Sequence, residues 1–230
     1  RRSTRGAYTG SGANLACVRI LVTGGAGFIG SHFVKRQLRA GHEVVVLDKL
    51  TYSGNRANLP AEVEFHHGDI AEPDDVARAA ASCEAIVNFA AETHVDRSIL
   101  SAEDFGRAEF RGTQVLLEHL RATGIRLVQV STDEVYGDLE AGGSSKETDA
   151  LRPSSPYSAA KSAGDLLVPA YARTFGVNAS ITRGSHTYGP NQYPEQFIPL
   201  FATNALDGEP FPLYAARRQV RDWLYVQDTC

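Results

Sequence analysis

The chain has 230 residues, 43% of them apolar, with a formal charge of −4 and a pI near 6.0. That length supports a substantial core in one or two domains, and the mild acidity excludes the polybasic footprint of a nucleic-acid or anionic-membrane partner. Small metabolites are the expected partners; with no apolar stretch long enough to span a bilayer and no signal-peptide core, the expected location is the cytoplasm.

Residues 1–17 contain "RRSTRGAYTGSG" and read as a disordered tail. From Val18 onward, short apolar runs alternate with helical patterns, as in βαβ units on a parallel sheet. The expected strands are "VRILVT", "EVVVLD", "VEFHHGD", "AIVNFAA", "LVQVST" and "NASITR". Between them, "FIGSHFVKRQLRA", "PDDVARAAA", "FRGTQVLLEHLRATG" and "SAAKSAGDLLVPAYARTFG" are the expected helices, the first and third closing at Gly41 and Gly124. The fold class is therefore α/β, a Rossmann-type doubly wound parallel sheet over residues 18–183. After about Gly184 the sequence turns Pro-rich and aromatic, and residues 184–230 read as a smaller C-terminal lobe over the carboxyl edge of the sheet. Cys17, Cys83 and Cys230 lie far apart with no CxxC spacing, so they are expected to be reduced and non-catalytic, with no metal site.

"ILVTGGAGFIG" gives a strand, a glycine turn and a helix start in the order that a dinucleotide site requires. Gly25, Gly27 and Gly30 fit G-x-G-x-x-G, and Gly24, Gly27 and Gly30 fit G-x-x-G-x-x-G; such turns let a pyrophosphate approach the backbone and the free N–H groups of a helix. Asp48, ending the second strand, would accept from the adenosine ribose hydroxyls and repel a 2′-phosphate, which selects NAD over NADP, a preference that Lys49 beside it weakens. Asp69 at the end of the third strand is either an adenine contact or a turn-forming Asp.

"YSAAK" places Tyr157 and Lys161 one above the other on a helix face. A lysine ammonium near a phenol stabilises the phenolate, so Tyr157 is expected to titrate low enough to take a proton from a hydroxyl. Thr132 ends the preceding strand, and "TDEVYGD" sets Asp133 and Glu134 directly after it. Two adjacent carboxylates serve one ligand only if the strand has already ended and the backbone is turning.

The blocks "TGGAGFIGSH", "LDKLTYSGN", "FAAETHVDRSI", "STDEVYGD", "PSSPYSAAKSAGDLL", "YPEQFIPL" and "RDWLYV" resemble, in order, those of the extended short-chain dehydrogenase/reductases, and within them the dTDP-glucose 4,6-dehydratase branch. The resemblance implies an NAD-dependent enzyme in deoxysugar biosynthesis acting on a nucleotide sugar, dTDP-glucose. Tyr157, with Thr132 and Lys161, would deprotonate the C4 hydroxyl as its hydride leaves to NAD⁺; Glu134 would remove the C5 proton and Asp133 would protonate the departing C6 hydroxyl, before hydride returns to C6. Neighbouring carboxylates suit this, since their repulsion separates their proton affinities. The cofactor set carried over is Gly24, Gly25, Gly27, Phe28, Ile29, Gly30, Asp48, Lys49, Asp69, Ile70, Ala90, Ala91, Tyr157 and Lys161. His186, Gln196, Pro212, Tyr214 and Arg221 carry over as substrate contacts, while Arg97 is either a contact or structural. A homodimer through the helices near Gly112–Thr123 and Tyr157–Phe175 is also implied.

The chain departs from the family pattern at several positions. Ala108 and Glu109 stand where Thr-Asn is usual below the nicotinamide, and His186 replaces an asparagine that touches phosphate. Gln196 replaces a lysine, and Ala215, Ala216 and Arg217 replace a Gly-Asp-Gly loop. Family members also continue beyond the position of Cys230, so the substrate lobe is expected to be partial. Two other readings compete: a nucleotide-sugar 4-epimerase, against which the Asp-Glu pair argues, and a non-catalytic nucleotide-binding paralogue or fragment, against which Asp133, Glu134, Tyr157 and Lys161 together argue.

Overall fold

The computed structural model describes residues 16–93, 103–140, 142–212 and 220–230. Six parallel strands form one sheet: β1 (Arg19–Thr23), β2 (Glu43–Asp48), β3 (Glu64–His67), β4 (Ala85–Asn88), β5 (Arg126–Thr132) and β6 (Ala179–Gly184), in the order β3-β2-β1-β4-β5-β6. Each expected strand is present. The sheet order reverses between β1 and β4, which opens a crevice at the carboxyl ends of these two strands.

Alternation along the central strands feeds two cores. Leu21, Val45, Leu47, Ile86 and Leu127 face one layer of helices, and Ile20, Val22, Val44, Val46 and Val87 face the other. Burial on both faces is why these strands are continuous apolar runs. On the second face lies α1 (Phe28–Arg39), anchored by Val34. The first face is covered by α2 (Pro73–Ala79), α4 (Thr113–Thr123) and α5 (Pro156–Phe175), through Val76, Leu116, Leu120 and Val168.

One helical boundary differs from expectation. The segment expected to start at Phe110 begins earlier, with α3 (Glu103–Gly106), and reaches α4 only through a π-helical turn over Arg107–Gly112. A π turn adds a residue to the helical repeat and rotates everything beyond it, so Glu109 is turned inward and is 1% exposed. Gly124 closes α4 in the left-handed conformation as expected, φ +77°. Gly41 likewise follows α1 with φ +86°.

The start of α5 is fixed by its own sequence. Ser155 caps it, its hydroxyl accepting from the Ser158 N–H at 3.1 Å while the Ser158 hydroxyl accepts from the Ser155 N–H at 3.0 Å, with Pro156 in the first turn. This reciprocal cap, worth about 1 kcal/mol, sets Tyr157 in the first turn and Lys161 one turn on.

Beyond residue 184 the chain forms β7 (His186–Tyr188), α6 (Phe197–Asp207), β8 (Trp223–Tyr225) and α7 (Val226–Thr229). Strands β7 and β8 pair in parallel. This region is tied to α1, where His32 Nε2 lies 2.9 Å from the Pro190 carbonyl and Arg36 donates to the Gln227 carbonyl at 3.0 Å. Among the described residues, no helix is long and apolar enough to cross a membrane. Residues 1–15 of the expected tail lie outside the described residues, as do Arg97, Tyr214 and the 215–217 departure.

Candidate active site

A cleft of about 1350 Å³ runs from the glycine turn after β1 across the ends of β4 and β5 to β7 and β8. At its cofactor end the glycines make space in different ways. Gly24 has φ +66°, and a Cβ there would stand 2.5 Å from the Ala90 nitrogen. A Cβ at Gly30 would stand 2.3 Å from the Gly24 carbonyl oxygen, so this glycine lets α1 begin directly against the turn. Gly24, Gly27, Phe28, Ile29 and Gly30 line the cleft. Gly25 does not: it packs on Val46, whose Cγ1 would lie 2.8 Å from an added Cβ. Gly25 thereby lets the turn approach β2 closely.

Asp48 closes the adenosine end. Its carboxylate accepts from the Ala26 and Leu50 N–H groups at 2.9 and 2.8 Å, which points it across the turn. Burial pushes its pKa up, against the pull of those two donors. Lys49 makes an ion pair with Asp69 at 3.1 Å, and Arg107 reaches the same Asp69 oxygen at 3.3 Å. Asp69 also accepts from the Ala71 N–H at 2.9 Å, the geometry of a turn-forming Asp, while lining the cleft with Ile70, Ala90 and Ala91. A positive-φ glycine turn, a helix N-terminus that no side chain caps and a buried acceptor at the end of β2 fit a dinucleotide in its expected place.

The strand-end question resolves at Thr132. There β5 stops and a 3₁₀ turn, Asp133–Tyr136, begins, with the Thr132 hydroxyl accepting from the Glu134 N–H at 3.2 Å. Thr132, Glu134, Tyr157 and Lys161 all line the cleft. Asp133 sits beside them, its Oδ1 accepting from the Thr132 hydroxyl at 3.3 Å, but outside the lining. Burial pushes the Glu134 carboxyl up; His186, with Nε2 3.6 Å away, pulls it back, and Asp133 pushes it further up. A base near neutrality gains from such a rise.

The expected low titration of Tyr157 is not what the structure gives. Its pKa is pushed well above the usual phenol range, first by burial, then by Glu109, Glu134 and Asp133, with a Thr132 hydrogen bond opposing. Burial is the main cause, and Lys161 does not stand free beside the phenol: its Nζ lies 2.8 Å from Glu109 Oε1, with both side chains nearly inaccessible.

On the opposite wall, His186 stands edge-on to Trp223 with 5.5 Å between ring centroids. Gln196 precedes α6 as its N-cap, and Gln196, Pro212 and Arg221 line the cleft. Arg221 is exposed, and its charge is felt by Glu134. Sequence reasoning missed three groups here. The Tyr52 hydroxyl donates to Glu195 at 2.6 Å and lies 3.1 Å from the Thr93 carbonyl, joining three distant segments at the cleft; Trp223 forms part of the wall. The "LTYSGN" and "YPEQ" blocks carried the first two in plain sight, but not their contact.

The model of the NAD dependent epimerase/dehydratase family matches residues 20–230. The chain belongs to that family. It is 51% identical over 225 residues to a dTDP-glucose 4,6-dehydratase of Streptomyces niveus, covering 93% of this chain and 67% of that one. A dTDP-glucose 4,6-dehydratase of Streptomyces antibioticus is 49% identical, with 93% and 66% covered. Among solved structures, the dTDP-glucose 4,6-dehydratase DesIV of Streptomyces venezuelae, with NAD and dTDP bound, superposes with a TM-score of 0.88 at 50% identity, over 92% of this chain and 69% of that one. The family's epimerases are also similar: the NAD complex of Thermus thermophilus UDP-glucose 4-epimerase gives a TM-score of 0.86 at 36% identity, with 92% and 71% covered. The chain spans about two thirds of the length of the curated relatives it matches.

Proposed function

We propose that this chain carries the cofactor and catalytic portion of an NAD-dependent dTDP-glucose 4,6-dehydratase, a hydro-lyase of deoxysugar biosynthesis. The observation that carries this reading is the meeting of Tyr157 and the turn Thr132–Glu134 in one cleft with the glycine turn. An alcohol oxidation needs only the tyrosine beside a nicotinamide. A carboxyl base on the same wall adds the means to take a proton from the neighbouring carbon, which turns oxidation into elimination. The 4-epimerase reading has no use for that base.

Gly24–Gly30 and Asp48 would hold NAD, whose nicotinamide supplies the hydride acceptor at C4 and the donor at C6. Tyr157 takes the proton of the C4 hydroxyl, oriented by its hydrogen bond with Thr132. The resulting ketone acidifies C5–H, and Glu134 accepts that proton. Asp133, the residue before it on the turn and beside the cleft lining against Thr132, would give its proton to the C6 hydroxyl as it leaves as water. His186, Gln196, Pro212, Tyr214 and Arg221 would bind the nucleoside diphosphate, where a guanidinium suits phosphate oxygens. The exposed Leu166 on α5 and Phe110 beside α4 support a homodimer through these helices; sedimentation as a monomer at micromolar concentration would contradict it.

The test is turnover of dTDP-glucose with NAD in deuterated water. Formation of a 4-keto-6-deoxy sugar with deuterium at C5 supports the reading; an epimerised product retaining its C6 oxygen would establish the epimerase instead, and binding without any product would leave only a scaffold. Two classes of variant then separate the steps. Tyr157→Phe prevents NADH from appearing, while Asp133→Asn and Glu134→Gln permit NADH but slow loss of the C6 oxygen by about 10²- to 10⁴-fold.

A further inference from the structure

Glu109 is a buried carboxylate that the reaction above does not use. It is 1% exposed and carried inward by the π turn between α3 and α4. The approach is permitted by Gly164 on α5, where a Cβ would stand 3.0 Å from the Glu109 carbonyl oxygen. Lys161, three residues before Gly164 on the same helix, presents Nζ 2.8 Å from Glu109 Oε1.

Resting on the reading of Tyr157 as the proton acceptor, we infer that Glu109 is a positioning residue for the oxidation step: its carboxylate holds the Lys161 ammonium and cancels the charge that would otherwise act on the Tyr157 phenolate. The cancellation does not depend on where the proton sits. Burial raises the Glu109 carboxyl and Lys161 lowers it; as carboxylate with ammonium, or as acid with amine, the pair is neutral overall. Tyr157 therefore faces Glu109 as well as Glu134 and Asp133 from the turn after β5, all of which disfavour its phenolate, with the Thr132 hydroxyl as its favourable partner. Asp165, also on α5, adds charge near Glu109 but is itself engaged by Arg183 at 2.7 Å. The consequence is that Lys161 favours the Tyr157 phenolate less than it would beside an uncharged residue at position 109.

The test reads Tyr157 directly, without turnover. The ultraviolet absorbance of tyrosinate is titrated in the protein and in its Tyr157→Phe counterpart, and the difference isolates the one phenol. In Glu109→Gln, which keeps the volume and removes the charge, the Tyr157 signal is expected to move down by about one pH unit or more, the scale on which a nearby unpaired cation acts on an acid. No movement, or movement upward, overturns the inference. If Glu109→Gln melts before it can be titrated, the double variant Glu109→Gln/Lys161→Gln removes the pair whole, a change that buried pairs tolerate better than loss of one partner. It should titrate like wild type; a Tyr157 signal higher than wild type would show that Lys161 acted on the phenol undiminished and defeat the inference. With substrate, the pH limb of NADH formation should shift with the tyrosinate signal. A protein with no dehydratase turnover would still give the absorbance result, so the two readings fail separately.

Discussion

On the cofactor side of the cleft, the turn Gly24–Gly30 and the end of β2 are fixed by backbone contacts at distances no side chain could enter. On the facing side, α6 has no buried residue, and Arg221 and Phe197 are exposed. The first wall comes from one continuous βαβ unit, so that its geometry follows from a few adjacent glycines. The second is assembled from β7, β8 and the ends of α6, whose aromatic rings contact one another at centroid distances of 4.4–6.1 Å rather than joining the main core. A site built this way can change its ligand by substitution on one wall without disturbing the other, and the departures at His186 and Gln196 lie on the wall where change is tolerated.

The contrast is sharpest at Gly30. Replacing it with alanine drives Cβ to 2.3 Å from the Gly24 carbonyl oxygen and 2.9 Å from the Gly25 Cα, all backbone, so α1 must move away from the sheet. The expected loss is about 3 kcal/mol, which for a chain of this size lowers Tm by about 6–12 °C, together with most of the NAD affinity. Calorimetry and NAD titration on Gly30→Ala check both. A variant that kept its Tm but lost NAD would mean that the clash is with the pyrophosphate alone.

Why the sequence revealed the first wall and not the second follows from the same difference. The central strands β1, β2 and β4 were legible because they are buried on both faces, which writes them as apolar runs, and Gly124 and Gly176 punctuate helices with left-handed caps. The π turn was not legible. "EDFGRAEFRG" lacks a 3.6-residue apolar period, and a glutamate inside it suggests a solvated face. Its burial depends on a lysine 52 positions later in the chain, which no local pattern encodes. Strands β7 and β8 are three residues each and pair across 34 residues of intervening chain, too short and too distant for periodicity to mark. Asp133 and Glu134 were correctly placed at a turn, but which of them enters the cleft depends on the rotation of a single 3₁₀ turn.

Arg221 tests the second wall with a smaller expected effect. Its side chain is exposed, so Arg221→Ala should leave Tm and NAD affinity unchanged while raising KM for the nucleotide sugar by about 10- to 100-fold, the weight of a charge-assisted hydrogen bond. Steady-state kinetics separate the outcomes. A fall in kcat at constant KM would place the guanidinium with the reacting carbons beside Glu134, whose carboxyl already feels its charge.

The smallest effect belongs to Asp69, at the outer rim of the first wall, and it has a definite sign. Burial raises the Asp69 carboxyl, but the Ala71 N–H, Lys49 and Arg107 together outweigh it, and its pKa is held below the ordinary value. A carboxylate whose pKa is lower folded than unfolded contributes stability that is complete above the unfolded value, about 3.9, and is lost as pH falls through the folded one. Asp69→Asn should therefore lower stability at pH 7 by less than about 1 kcal/mol, because the lysine and arginine partners are largely exposed and screened by water. The deficit should shrink as pH falls below about 4 and be reduced by high salt at neutral pH. Denaturant midpoints for both proteins across pH decide it, since a deficit of constant size from neutral to acid pH would mean that Asp69 acts through its turn geometry and not through its charge. An NAD affinity equal to wild type in the same variant would assign the residue to the turn alone; a several-fold loss would place it at the adenine edge as well.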